Sequence, residues 1–247
     1  MSSFSRLVRF LAKDGRTYYG DAILPRGVTD ISKAKQAKII RGEIFGNTIC
    51  LGLNYEQHAK ESHMPIPKFP VLFYKPVTPL TGPTDPIPIH PLAQKELVWT
   101  TSSIICPWYS IGNDVSHRDW QIKHGGGQWS LGKGFDGWAQ YGPGIVNSNI
   151  INDPQNLRIS TKINGKMMQD SNTKDMIFGV AKTIAFLSQG ITLLPGDLIF
   201  TGTLQGVGLG RKPQVCLKVG DVVEVGLEGV GTSVNKAEFT RKTESRL

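Results

Sequence analysis

Cysteine is scarce in this chain: Cys50, Cys106 and Cys216 are odd in number and far apart. They form neither a disulfide framework nor a CxxC metal site, so a reducing compartment is expected. No apolar run approaches the ~18 residues that a membrane-crossing helix needs, and no 20 to 50 residue repeat is apparent. A phosphate loop is missing too. The Gly-rich segment TGTLQGVGLG, 201–210, lacks the GxxxxGK[ST] pattern, and Pro213 follows where a dinucleotide-binding helix would start. A backbone-lined nest for a carboxylate stays open there. Acidic residues are the minority, 20 against 28 Lys and Arg, giving a net charge of +8. Yet no basic run carries interleaved aromatics. The densest stretch, 1–45, mixes its basic residues with Asp14, Asp21, Asp30 and Glu43, which favours a solvated basic surface over a nucleic-acid groove.

What is present points to a folded, strand-rich enzyme-sized chain. With 247 residues and 39% apolar content, it can bury one sizeable core and a small accessory part. Its 28 glycines and 15 prolines exceed the usual ~12% share and favour turns and strands. The first residues, MSSFSRLVRFLAK, are basic and Ser-bearing like an organelle transit peptide, but the aromatic and β-branched pattern running to Tyr18 and Tyr19 favours a strand around Leu7 to Leu11. Residues 1–45 read as a small β-containing lead-in and 46–247 as the main domain. The chain ends in Ser245-Arg246-Leu247, one conservative change from a peroxisomal address, so a peroxisomal location is expected, with the cytoplasm as the alternative.

Within the main domain, the apolar run TICLGL at 48–53 suits a buried strand, and YEQHAKES passes into a helical turn. Recurrent prolines from Pro65 to Pro91 dictate an extended chain. LRISTKI at 157–163 alternates as a half-buried strand, closed by the hairpin signal Asn164-Gly165. One main helix is predicted over about 174–189, capped by Thr173, with an apolar stripe of Ile177, Val180, Ile184 and Leu187. Strands are predicted at 197–201 and 222–227.

Four Gly-punctuated segments gather polar residues: GLNYEQHAKE, GNDVSHRDWQ, QWSLGKGFD and TGTLQGVGLG. His58 and Glu61, three apart on one helix face, suit a general base with an orienting carboxylate, although taken alone such a pair is more often a surface histidine near a helix acid. Asp114 and Asp119 are hard oxygen donors, though two acids around a turn also serve as caps. Lys133, between two glycines, suits a cation held against a ligand oxygen or an exposed turn.

Together these segments resemble the fumarylacetoacetate hydrolase superfamily, over nearly the whole chain from LVRF at residue 7 to LEGVG at 227–231. CLGLNYEQHAKE, FYKP with Lys75, IGNDVSHRDWQ, QWSLGKGFD, GPGIV, NGK, SNTKDMIF, LLPGDLIFTGTLQGVG and GDVVEV carry the likeness. The resemblance implies a mixed β-rich α+β fold, a β-roll or sandwich, in a homodimer. It implies Mg²⁺ or Mn²⁺ held by three carboxylates, with Asp114 as the last ligand and Glu96 and Gln94 at the other two places. It makes His58 and Glu61 a water-activating pair, with Lys133 and Gln121 beside them as catalytic groups. Arg118, Thr203, Gly202 and Tyr55 would contact substrate. The implied activity is metal-dependent hydrolysis of a C–C bond in a small dicarbonyl or 2-oxo acid, in a specialised pathway. The alternatives are decarboxylation (a lyase) or tautomerisation on the same site, or a non-catalytic chain with a degraded metal site. No nucleic-acid or membrane partner is implied.

One departure stands out. The family pattern has Glu-x-Glu, a strand, a helical segment and a second strand before the Asn-Asp of GNDVS. Here AQKELVW and TTSSIICPWYS fill the interval, Gln94 replaces the first acid, and Glu96 precedes Asp114 by only 18 positions. Gln brings an oxygen without charge, which lowers affinity for a hard divalent cation. Either a deletion or a wrongly joined gene model accounts for the short span. Leu204, where many relatives have Pro, alters the pocket locally.

Overall fold

A computed structural model describes residues 4–28, 30–40, 45–105 and 108–239. Cys106 and the terminal Ser245-Arg246-Leu247 lie outside the described residues. Two main sheets face each other, and Leu97–Val98 pairs with Ser116–His117 in a separate two-stranded ladder. The larger has ten strands, ordered Gln36–Ile40, Thr17–Ile23, Arg6–Leu11, Ala139–Asn147, Trp108–Asp114, Thr101–Ile105, Leu198–Phe200, Thr48–Gly52 and Val71–Lys75, with Leu80–Thr81 beside Ala139–Asn147. The smaller has five: Lys166–Asn172, Arg158–Ile163, Val222–Leu227, Gly231–Phe239 and Ile87–Ile89. The fold is thus the mixed, sheet-rich class expected, with three short α-helices among the described residues.

The alternating strands supply the core. Val8, Ile111 and Val146 from the large sheet meet Ile159, Val223, Val225 and Ala237 from the small one in a single cluster. A period-2 strand buries every second side chain, each worth about 1.5 to 3 kcal/mol when fully removed from water. On the outer face of the large sheet, Ile49, Leu51 and Ile199 pack against Val180 and Leu187 of a helix. The early residues Arg6–Leu11 are a strand, paired with Thr17–Ile23 and with Ala139–Asn147.

The predicted helix over 174–189 is shorter than its periodicity. Thr173–Asp175 forms a 3-10 turn, and the helix runs only Val180–Leu187, still the longest of the three. Asn54 is the reason. Its side chain accepts from Phe178 N–H at 2.8 Å and donates to the Phe178 carbonyl at 3.1 Å, while its own carbonyl accepts from Ile177 N–H. These bonds tie the backbone of 177 and 178 into a bend outside the helix, and Met176, itself extended, bridges Tyr55. Asn172 caps the turn in place of Thr173, whose hydroxyl accepts from Leu157 N–H.

Candidate active site

Strand direction places the site. Thr48–Gly52 runs parallel to Leu198–Phe200, and Trp108–Asp114 reaches the same direction through two antiparallel pairings across Thr101–Ile105. Three strands therefore end on one side of the sheet, and each is followed by a motif segment. After Gly52 comes α1, Glu56–Glu61; after Phe200, the glycine loop; and Asp114 leads into α2, Arg118–Ile122. Asn54 ties the first two, donating to the Thr201 carbonyl at 2.7 Å. Gly202 sits at φ +91, where a Cβ would stand 2.7 Å from the Asn54 Cβ, so only glycine lets the loop approach this closely.

The segments enclose a cavity of about 560 Å³ lined by His58, Glu61, Asp114, Arg118, Gln121, Lys133 and Thr203, with Phe73 and Trp129 as apolar wall. Seven of the residues singled out from the sequence thus meet. Tyr55 and Gly202 are buried beside the cavity without lining it, one through its bridge to Met176 and the other through its backbone turn.

One wall is the α1 pair. His58 Nδ1 lies 3.2 Å from Glu61 Oε2, which leaves Nε2 for a ligand. Both Glu61 oxygens also accept from Gly206 N–H at 3.0 Å, clipping the glycine loop to the helix. Burial would raise the Glu61 carboxyl, but the His58 and Gly206 hydrogen bonds outweigh it and hold the group below its ordinary pKa.

The opposite wall is built from buried charge. Asp114 closes a strand, and its two oxygens meet Lys75 Nζ at 2.8 Å and Lys133 Nζ at 2.5 Å. Burial alone would raise the carboxyl, yet the two ammonium groups hold it below the usual range. Lys133 also donates to Ser116 Oγ at 2.6 Å and lies over the Phe73 ring; burial pushes its pKa down to about 8, with Asp114 opposing. Lys75 donates to the carbonyls of Lys133, Trp138, at 3.0 Å, and Val115, at 3.5 Å. In α2, Arg118 donates to the Gln121 amide oxygen at 2.7 Å, and burial lowers its pKa against the pull of Asp114. Lys75 and Ser116 went unassigned from sequence. The signal for Lys75 was a lysine two residues from Phe73 on the inward face of VLFYK.

A three-carboxylate cation site does not assemble. Gln94 is exposed after a 3-10 turn, and Glu96, at φ +61, stands beside Asp119, His117 and Lys123, away from the cavity. Among the described residues no three His, Cys, Asp or Glu side chains group as metal ligands. Asp114 Oδ1 accepts no hydrogen bond and would be free to ligate, but a single carboxylate flanked by the ammonium groups of Lys75 and Lys133 is a donor set that does not fit Mg²⁺ or Mn²⁺, which require several oxygen ligands. Asp119 turns outward and pairs with Lys123 at 2.5 Å, as a helix-surface acid.

The chain is 40% identical over 205 residues to the mitochondrial oxaloacetate tautomerase FAHD2B of Bos taurus, covering 76% of this chain and 65% of that protein. It therefore spans about two thirds of the length of the cattle relative. With the mitochondrial oxaloacetate tautomerase Fahd2a of Rattus norvegicus it shares 40% over 244 residues, 86% of this chain and 77% of the other. The fumarylacetoacetate hydrolase of Exiguobacterium antarcticum superposes with a TM-score of 0.79 at 30% identity, covering 96% of this chain and all of that one. The mitochondrial relatives overturn the peroxisomal expectation from Ser245-Arg246-Leu247: three terminal residues that match an address only loosely carry little weight against likeness along the chain. No described helix is long and apolar enough to cross a membrane. The fumarylacetoacetate (FAA) hydrolase C-terminal model matches residues 47–100 and 104–238, and the chain belongs to the fumarylacetoacetate hydrolase family.

Proposed function

We propose that the chain is a tautomerase of a small 2-oxo dicarboxylate of the oxaloacetate type. The observation that carries the reading is one base, His58 backed by Glu61, facing the same cavity as the cations Lys133 and Arg118. Keto–enol exchange needs no second reactant. His58 Nε2 takes the proton from the carbon beside the ketone, and the electron pair moves onto the ketone oxygen. Lys133 Nζ lies ready for the negative charge that develops there, and the proton then passes to oxygen. A donor of this kind in a water-poor site contributes about 3 kcal/mol to the barrier. Arg118, Gln121 and Thr203 supply donors for the carboxylates, which fixes the reacting carbon against the imidazole. The names of the relatives support this alternative over the C–C hydrolysis that leads the sequence reading.

The test is the decay of enol oxaloacetate absorbance with enzyme, run beside acylpyruvate cleavage and CO₂ release. Faster enol decay, lost in His58→Ala, is expected; cleavage or CO₂ release without it would refute the tautomerase. A homodimer, proposed on the family resemblance, is checked by light scattering.

A further inference from the structure

The disagreement between the donor set and a divalent-cation site has a positive side: the positive charge is already built into the protein. We infer that Lys75 and Lys133 take the place of a divalent cation at Asp114, and that the cavity binds a dianionic enolate mimic with no metal ion. The inference rests on the cavity being a 2-oxo acid site, as proposed above.

Three features carry it. Both carboxylate oxygens of Asp114 lie within ion-pair distance of ammonium groups, at 2.8 and 2.5 Å; Oδ2 accepts a hydrogen bond from Lys133, whereas the hydrogen bonds of Lys75 go to carbonyls and Oδ1 is held by charge alone. A divalent cation on Oδ1, at a ligand distance of ~2.1 Å, would crowd like charges against Lys75. Lys75 cannot leave. Its side chain is 0% exposed and is held by the backbone carbonyls of Val115, Lys133 and Trp138, so moving it would strand a buried cation. Second, the positions that the family pattern supplies as companion ligands are elsewhere: Gln94 faces solvent, and Glu96 neighbours Asp119 and Lys123. Third, the charges are unequal. Lys75, Lys133, Arg118 and Lys212 stand against Asp114 and Glu61, so the site has two positive charges to spare. A divalent cation would double that excess, whereas a dianion cancels it. Lys133 lies on the cavity wall and presents the ammonium that a bound enolate oxygen would meet.

Oxalate is the probe. The protein is stripped with EDTA, exchanged into metal-free buffer and titrated with oxalate by calorimetry, then titrated again in 1 mM Mg²⁺; Mn²⁺ binding is read separately by electron paramagnetic resonance. We expect oxalate to bind the stripped protein within three-fold of its affinity in Mg²⁺, and Mn²⁺ to remain free. Lys133→Met should weaken metal-free oxalate binding at least ten-fold. Asp114→Asn should preserve or tighten it, since one opposing charge is gone, whereas a carboxylate-held cation requires the opposite sign. Oxalate binding that appears only with Mg²⁺, absence of oxalate binding in both conditions, or stoichiometric Mn²⁺ capture abolished in Asp114→Asn would overturn the inference. If Asp114→Asn fails to fold, the wild-type resonance measurement and Lys133→Met decide. Metal-free oxalate binding without enol turnover would sink the tautomerase reading alone, and turnover abolished by EDTA and restored by Mg²⁺ would sink this inference alone.

Discussion

The two walls of the cavity are held by different physics. On the α1 side, His58 and Glu61 keep 11% and 20% of their side-chain surface, and their geometry depends on hydrogen bonds to one short helix and one glycine loop. On the far side, Lys75 and Asp114 keep 0% and 9%, and the charges are locked to one another and to strand-end carbonyls. A partly buried histidine–carboxylate hydrogen bond can be remade with water at modest cost, while a fully buried ammonium that loses its partner is costly. The first wall is suited to moving a proton, the second to holding a fixed field. A base must change protonation in each cycle, and a counter-charge must not.

Substitutions can break this contrast. The largest effect is expected from Lys75→Met, which leaves Asp114 with one partner and the Val115 and Lys133 carbonyls without a donor; denaturant unfolding should show a loss of about 3 to 5 kcal/mol. A loss under about 1 kcal/mol would mean that the wall is not held by its charges. His58→Ala should act oppositely, lowering enol turnover by ~10²-fold or more while the unfolding midpoint moves little. Glu61→Gln tests the pH behaviour of the same wall. The Glu61 carboxyl is held below its ordinary pKa, so its ionised form stabilises the fold above the unfolded value, and that contribution fades as pH falls through the folded value. The stability gap between wild type and Glu61→Gln should accordingly be present at pH 7 and narrow in acid; a gap that widens on acidification would contradict the assignment. Smallest of all, Arg158→Ala removes an exposed pair with Asp170 on the small sheet and should leave both turnover and the unfolding midpoint unchanged.

Much of the frame was legible because strands announce themselves by alternation. Arg158–Ile163, the Asn164-Gly165 turn and Val222–Leu227 lie where the pattern puts them. The His58–Glu61 contact was readable too, since three-residue spacing on a helix is a local relation. The helix at 174–189 was overread because its apolar stripe is genuine but Asn54, far away in sequence, claims the backbone of 177 and 178. Glu96 could be matched to a ligand place by its neighbours in sequence, yet its backbone at φ +61 turns it toward Asp119. Lys75 escaped notice as chemistry because a lysine ending a strand looks solvated until its carbonyl cage is known.

By its own pattern, the sequence determined the strands near residues 7–11, 48–53, 157–163, 197–201 and 222–227, the Asn164-Gly165 turn and the three-residue spacing that lets His58 meet Glu61, which follow from short-range spacing and steric preference; the family likeness came from the order of motifs along the whole chain. Only the tertiary structure decided that three strand ends open on one side, that Asp114 meets Lys75 and Lys133, and that Gln94 and Glu96 stay away. Those contacts depend on sheet order and on burial. Neither the partner of a charge nor its exclusion from water is encoded within the few residues around it.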